Sequence, residues 1–369
     1  MYPKISYNII SKYRTELMGL AILWIFLYHS KIFFPESTLF HPLRFVTSSG
    51  YGGVDIFFFL SGFGLMRHML TQKSSSLTFY KKRLLALFPS YIPTTMLVLY
   101  ITHILSNNVS LKMIILCLTT IGFWTDGYTF YWFIPSILSL YLIYPIFYKF
   151  YLKYQIKLIY FISLLSLATC IVLAITKHFH FINFISRIPI FFIGSHVQYI
   201  STSRNALSKK EIHFQFSLFL IFFISLIGVM LLPNKNFIKN YGLGYYPFTI
   251  GTLPLCLVIS IVLNKLSQVY QTKNRSRFFV LLSICGSTSL EIYLIHKQIV
   301  FNLGELIIAK AANIPQELSF INYGHYLEYI IYFIITLPLS LQLKRLSSYI
   351  RTRINRSIVT VAPPDNIPK

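Results

Sequence analysis

MGLAILWIFLYHS, residues 18–30, sets ten apolar or small residues and a tyrosine ahead of a single imidazole, His29, and contains no carboxylate, lysine or arginine. Such a run is suited to lipid, where a polar side chain is costly and generally has a task. Comparable runs recur as far as Leu343: 17–33, 51–70, 84–105, 111–125, 131–151, 156–176, 182–201, 214–232, 246–264, 278–301 and 326–343. Charged residues make up 12% of the chain, about half the roughly 25% of a soluble domain. Apolar residues make up 55% and aromatics 17%. The alternating ten-residue segments of a membrane barrel are absent. The reading is an all-α, polytopic membrane helical bundle.

Charge orients the bundle. A span needs about 20 apolar residues, so 111–125 is short. If that segment crosses, the basic loops before Leu84 and after Phe147 fall on opposite sides. If it does not, they share one side. That side holds Lys4, Lys12 and Arg14; Arg67, Lys73, Lys81, Lys82 and Arg83; Lys149, Lys153 and Lys157; Arg204, Lys209 and Lys210; Lys265, Lys273, Arg275 and Arg277; and the tail from Lys344. These are most of the 33 Lys and Arg. The positive-inside rule then predicts about ten transmembrane helices with both termini cytoplasmic, and 111–125 as a re-entrant or interfacial piece outside. Three regions are expected: a cytoplasmic N-terminus over 1–14, a transmembrane domain over 15–346, and a basic tail over 347–369. The tail is read as an anchor on anionic lipid, disordered from 362 onward.

The net charge of +23 is explained by topology before nucleic acid, so no nucleic-acid partner is expected. Cys117, Cys170, Cys256 and Cys285 lie in apolar runs with no CxxC spacing, which indicates neither a disulfide framework nor a metal site. The first apolar run lacks a small-residue cleavage site and should remain as an anchor.

Polar residues inside the runs converge. The first span runs outward and carries His29 in its outer half. The second runs inward from Tyr51 and carries Asp55 four residues later, in GYGGVDIFFFLSGF. The two are expected at similar depth, where a carboxylate orients an imidazole as general base. The tenth span, SLEIYLIHKQIV, brings Glu291 and His296 to the same half. A buried pair that merely pins two helices is the plain competing reading. Glu291 and His296 at the same level weigh against it. His68, His103, His178, His180, His213 and His325 are read as structural or interfacial. FYKKRLLALFPSYI gathers Lys81, Lys82 and Arg83 at a cytoplasmic membrane entry. This is either topology anchoring or capture of a phosphate-bearing substrate. A cationic mouth inside and an acid/base pair outside suit a cytosolic donor and an extracytoplasmic acceptor.

At these residues the chain resembles the acyltransferase 3 family of multipass membrane O-acyltransferases, from about Glu16 to Leu343. LMGLAILWIFLYHS resembles the first-helix motif ending in histidine, at His29. GGVDIFFFLSGF resembles the most specific motif and places its acid at Asp55. FYKKRLLALFPSY resembles the family's basic loop followed by proline and an aromatic. YWFIPSILSLYLIYPIF and STSLEIYLIH resemble the later tryptophan and histidine helices. RIPIFFIGSHV is a weaker match to an arginine-led helix. The family's first-helix arginine falls at Met18, and Arg14, one turn earlier, is expected to replace it. A second basic-loop arginine falls at Ala86, and paired glutamates after the tryptophan fall at Ile137 and Leu138.

The resemblance implies a bacterial inner-membrane O-acyltransferase with no tightly bound cofactor and acyl-CoA, usually acetyl-CoA, as co-substrate. Its acceptor would be a hydroxyl of an exopolysaccharide or lipid-linked glycan, as in surface-glycan O-acetylation. Arg14, Lys82 and Arg83 would bind the CoA phosphates. His29, oriented by Asp55, would act as base or transient acyl carrier. Trp132, Glu291 and His296 would shape the acceptor pocket. Membrane lipid and polysaccharide-assembly proteins are the expected partners. A non-catalytic flippase or transporter of a glycan or small acid, using His29, Asp55 and Glu291 as a proton relay, is the alternative. An inactive homologue in surface-polymer assembly is another.

Overall fold

The computed structural model describes residues 5–29, 41–72, 75–106, 109–125, 129–204, 206–232, 241–270, 277–302, 304 and 326–361. Lys4, Lys73, Lys273, Arg275, Lys369 and the expected disordered end at 362–369 lie outside the described residues, as does His325. All regular structure among the described residues is helical. In order the helices are α1 (Asn8–Lys12), α2 (Arg14–His29), α3 (His41–Ser48), α4 (Gly52–Thr71), α5 (Ser76–Ser106), α6 (Leu111–Leu118), α7 (Phe133–Tyr154), α8 (Ile156–Ile175), α9 (Phe179–Ile185), α10 (Ile188–Ser203), α11 (Lys209–Leu231), α12 (Tyr246–Tyr270), α13 (Arg277–Ser287), α14 (Ser289–Ile295) and α15 (Tyr326–Val361).

Among the described residues, seven helices are long and apolar enough to cross a bilayer: α4, α5, α7, α8, α11, α12 and α15. The stretch from α13 to Phe301 passes only as a pair broken at Thr288. Helices α2 and α10 have 16 residues each, about 24 Å at 1.5 Å per residue, somewhat short of the roughly 30 Å hydrocarbon core. Segment 111–125 yields an eight-residue helix and a single 3₁₀ turn, too short to cross. Helix α11 is among the most apolar, yet only 17% of its apolar window is buried, against 67% for α4. The order opposite to that of a soluble protein follows when lipid solvates the outer helices.

Helix ends run past the apolar runs that announce them. Lys81, Lys82 and Arg83 lie within α5 rather than in a loop, and α15 continues as one helix to Val361 through the basic tail. Lys and Arg are good helix formers, so leaving the apolar zone does not end the helix. The run 182–201 is instead divided. Helix α9 ends at Ile185, Pro189 opens α10, and Arg187 stands in the break as N-cap. Proline favours the first helical turn and cannot continue the one before it.

The chain forms two compact units, residues 1–75 with 136–289, and residues 76–135 with 290–369. In the first, α4 and α10 make the most extensive helix pair, and α2 packs on α4 and α13. These seams need glycine. A Cβ on Gly62 would overlap the Phe191 carbonyl, and one on Gly194 the Phe59 carbonyl. Gly19 and Gly286 stand likewise against backbone carbonyls of the facing helix between α2 and α13. Without a hydrophobic drive between helices, such close backbone approach is what holds them together. Helix α7 joins this unit through Tyr144, whose hydroxyl donates to Ser195 Oγ at 3.1 Å, and Tyr151, 2.7 Å from His196 Nδ1. In the second unit, α15 packs along α5 and against a π-helical turn, His296–Phe301.

Candidate functional site

In the first unit the site is built around Asp55, in the first turn of α4 and 0% exposed. An acid there is favoured by the positive end of the helix dipole, but in an apolar interior it also needs a cation. Arg187 provides it, with Nε 3.0 Å from Asp55 Oδ1, itself 1% exposed. The helix break described above lets this side chain leave the start of α10 for α4. Arg187 Nη1 also donates to the Asn183 carbonyl at 2.7 Å and to the Asn183 side-chain oxygen. Its guanidinium carbon lies 4.2 Å from the ring centroid of Tyr245.

The ion pair connects to His29 through a row of rings. Tyr245 meets Tyr51 edge-to-face at 5.8 Å, Tyr51 meets Tyr28 at 5.6 Å, and Tyr28 meets His29 at 5.2 Å. The Tyr51 hydroxyl donates to the Gly244 carbonyl at 3.0 Å, tying the chain before α12 to the start of α4. Tyr28 is 40% exposed; His29, Tyr51 and Tyr245 are half-buried. His29 and Asp55 therefore belong to one unit and one row of contacts, and Asp55 has an ion-pair partner, Arg187, that spacing along the sequence did not supply. Sequence reasoning placed Arg187 only as the head of a weak motif. A cation inside the apolar run 182–201 was the available signal, since it requires a counter-ion at depth. Asn183 and Tyr245 carried no signal of their own.

Arg14 also lies in the first unit, at the start of α2. Its Nη2 donates to the Leu60 carbonyl at 3.4 Å, and the guanidinium lies over Gly64. Met18 is half-buried one turn further along.

The other sequence-derived residues fall in the second unit. Lys82 is exposed on α5. Arg83 has its guanidinium carbon 5.4 Å from the Phe79 ring centroid. Glu291, buried on α14, accepts from Ser90 Oγ of α5 at 2.8 Å. Ser90 follows Pro89, the first of two prolines inside α5. His296 is buried where the helix widens into the π turn, and its Nδ1 lies 2.9 Å from the Ile292 carbonyl. Its ring neighbours are Tyr293 and Phe301. A π turn costs backbone regularity and commonly marks a functional position. Trp132 is half-buried beside Phe133, at 6.4 Å between rings. Its neighbours Phe130 and Tyr131 bond to Gln298 Nε2 at 3.0 Å and the Leu294 carbonyl at 2.8 Å. Trp132, Glu291 and His296 thus share one unit.

The first unit offers a half-buried imidazole next to tyrosine rings and a buried ion pair joined to them; the second holds the buried Glu291 and the buried His296. A family model described as an acyltransferase domain matches residues 17–345. No curated protein matches the chain. No solved structure matches it.

Proposed function

Because the chain belongs to the acyltransferase 3 family, we propose that this membrane acyltransferase moves an acetyl group from cytosolic acetyl-CoA to a hydroxyl of an extracytoplasmic glycan. The acceptor is an exopolysaccharide or lipid-linked sugar of a bacterial cell, and the membrane is the inner one. The observation that carries the reading is the half-buried His29, joined by ring contacts to the dry Asp55–Arg187 pair. An imidazole there accepts the proton of the acceptor hydroxyl. The oxygen bonds to the thioester carbonyl carbon, the carbon–sulfur bond breaks, and the CoA thiolate leaves to take up a proton. Asp55 serves this site as the counter-ion of Arg187 and, through the ring row, supports His29.

Lys82 and Arg83 bind the CoA phosphates, Arg by its planar fork and Lys as a point charge. Arg14 is the first-helix cation for the same donor. Trp132, Glu291 and His296 contribute to acceptor recognition. Ten spans with cytoplasmic termini place the basic residues on the donor side. Segment 111–125 being too short to cross supports that count.

The test is transfer of labelled acetyl from acetyl-CoA by protein in membranes, alongside the mass of the cell-surface glycan with and without the gene. His29→Ala is expected to abolish transfer while the protein accumulates normally. Near wild-type transfer by that variant would remove His29 from the chemistry.

A further inference from the structure

A fully buried ion pair is poor currency for stability, because desolvation offsets most of its attraction. Here the guanidinium carbon also lies over the Tyr245 ring, 4.2 Å from its centroid, while Asn183 and Asp55 hold its nitrogens. The tyrosine so fixed is half-buried, and its edge contact with Tyr51 continues by way of Tyr28 to His29. Tyrosines also collect at membrane interfaces, but an interfacial anchor needs no buried cation behind its ring. The Tyr51 hydroxyl is committed to the Gly244 carbonyl and its ring meets Tyr28, Tyr245 and Phe248 edge-to-face, so Tyr51 braces Tyr245 from the side.

We propose that the Tyr245 ring, with Tyr51 set nearly perpendicular beside it, forms the seat on which a sugar ring of the acceptor stacks in the ring row that ends at His29, with Arg187, paired to Asp55, as the positioning residue that sets Tyr245. The proposal rests on the acyl-transfer reading above and adds to it where the acceptor sits. A pyranose ring presents a face of C–H bonds, which packs on the electron-rich face of an aromatic ring. Tyrosine provides that surface at little cost in side-chain entropy. An open-chain polyol offers the same hydroxyls and no such face.

The experiment uses the full-length protein in membranes with acetyl-CoA and two acceptor probes, methyl β-D-glucopyranoside and sorbitol. In Tyr245→Ala, kcat/KM for the pyranoside is expected to fall about tenfold further than kcat/KM for sorbitol, the worth of one aromatic contact. Tyr245→Phe keeps the ring and should keep the pyranoside rate. Arg187→Lys keeps the charge but not the fork or the flat face, so it should raise the pyranoside KM more than it lowers kcat. Where Tyr245→Ala does not accumulate, Tyr245→Leu replaces it. Equal losses on both probes, or a Tyr245→Phe variant as poor as Tyr245→Ala, would overturn the seat while leaving acyl transfer standing. Equal use of both probes by the wild type would overturn it too. A wild-type protein that transfers acetyl to neither probe nor to surface glycan defeats the parent reading, and this proposal with it.

Discussion

Asp55→Asn removes one charge from the dry pair and almost no volume. Arg187, 1% exposed with its Nε 3.0 Å from Asp55 Oδ1, then keeps its charge without that carboxylate, with neutral Asn183 and the Tyr245 ring among its partners. Removing one member of a buried pair costs about 3–5 kcal/mol, because the remaining charge is left uncompensated. The cation–π contact survives and returns at most about 2 kcal/mol, which the wild type already has, so it does not reduce the difference. At roughly 2–4 °C per kcal/mol for a unit of this size, the melting temperature should fall by about 6–20 °C. Arg187→Gln should cost a similar amount, since it leaves the carboxylate alone in the same interior. Combining the two removes both charges together. What is then lost is the pair's net worth, near zero, and the cation–π contact, so the double variant should lie within about 2 kcal/mol of wild type. The assay is thermal unfolding of the purified variants in one detergent, read as a double-mutant cycle. Single variants within about 1 kcal/mol of wild type, or a double variant equal to the sum of the singles, would refute a dry, mutually dependent ion pair.

Other expectations are checked more briefly. Gly194→Ala drives a Cβ into the Phe59 carbonyl on α4 and should lower stability by about 1–3 kcal/mol. Gly228→Ala, which meets nothing within 4 Å, should be neutral or stabilising; equal losses at both sites in thermal unfolding would deny the tight α4–α10 seam. Arg83→Ala should weaken acyl-CoA binding about tenfold or more, as loss of a hydrogen bond to a charged group implies, and Arg83→Lys less so. Lys81→Ala serves as the comparison, and an equal loss there would reduce Arg83 to a topology anchor. Single cysteines at Ser110 and Thr129 should both be labelled by an impermeant reagent from outside, and one at Ser208 should not. Labelling at Ser208 would break the ten-span orientation.

The class of fold was legible because lipid solvation writes itself into composition. Runs of apolar residues with few charges fit only helices when barrel alternation is absent. The place of Asp55 in the first turn of α4 was legible too, since GGVDIFFF puts the acid within one turn of a helix start. Its partner was not. Arg187 stands far along the chain, and hydropathy says where a charge is costly without saying which other charge answers it. The division of 182–201 was visible only through Pro189, which ends a helix as readily as it begins one. The grouping of residues 76–135 with 290–369 left no mark at all. It depends on contacts between α5 and α15, whose apolar faces are interchangeable with any other in the sequence.

The elements that carry the candidate site are also those held closest. A Cβ on Gly53 would strike the Ala21 carbonyl of α2, and one on Gly62 the Phe191 carbonyl of α10. Helix α4, which bears Asp55, is therefore clamped by backbone contact against the helix that ends in His29 and the one that Arg187 begins. Side chains packed between helices allow rotation and sliding by alternative rotamers. Backbone set against backbone at glycine allows much less. A site that must keep an imidazole, a ring row and an ion pair in register gains from rigid supports. Arg14 follows the same logic, for its guanidinium lies over Gly64, one more position on α4 where the absence of a side chain admits a group from α2. The glycines of GGVDIFFFLSGFG thus set the spacing between helices, and the single carboxylate among them supplies the charge that the spacing keeps dry.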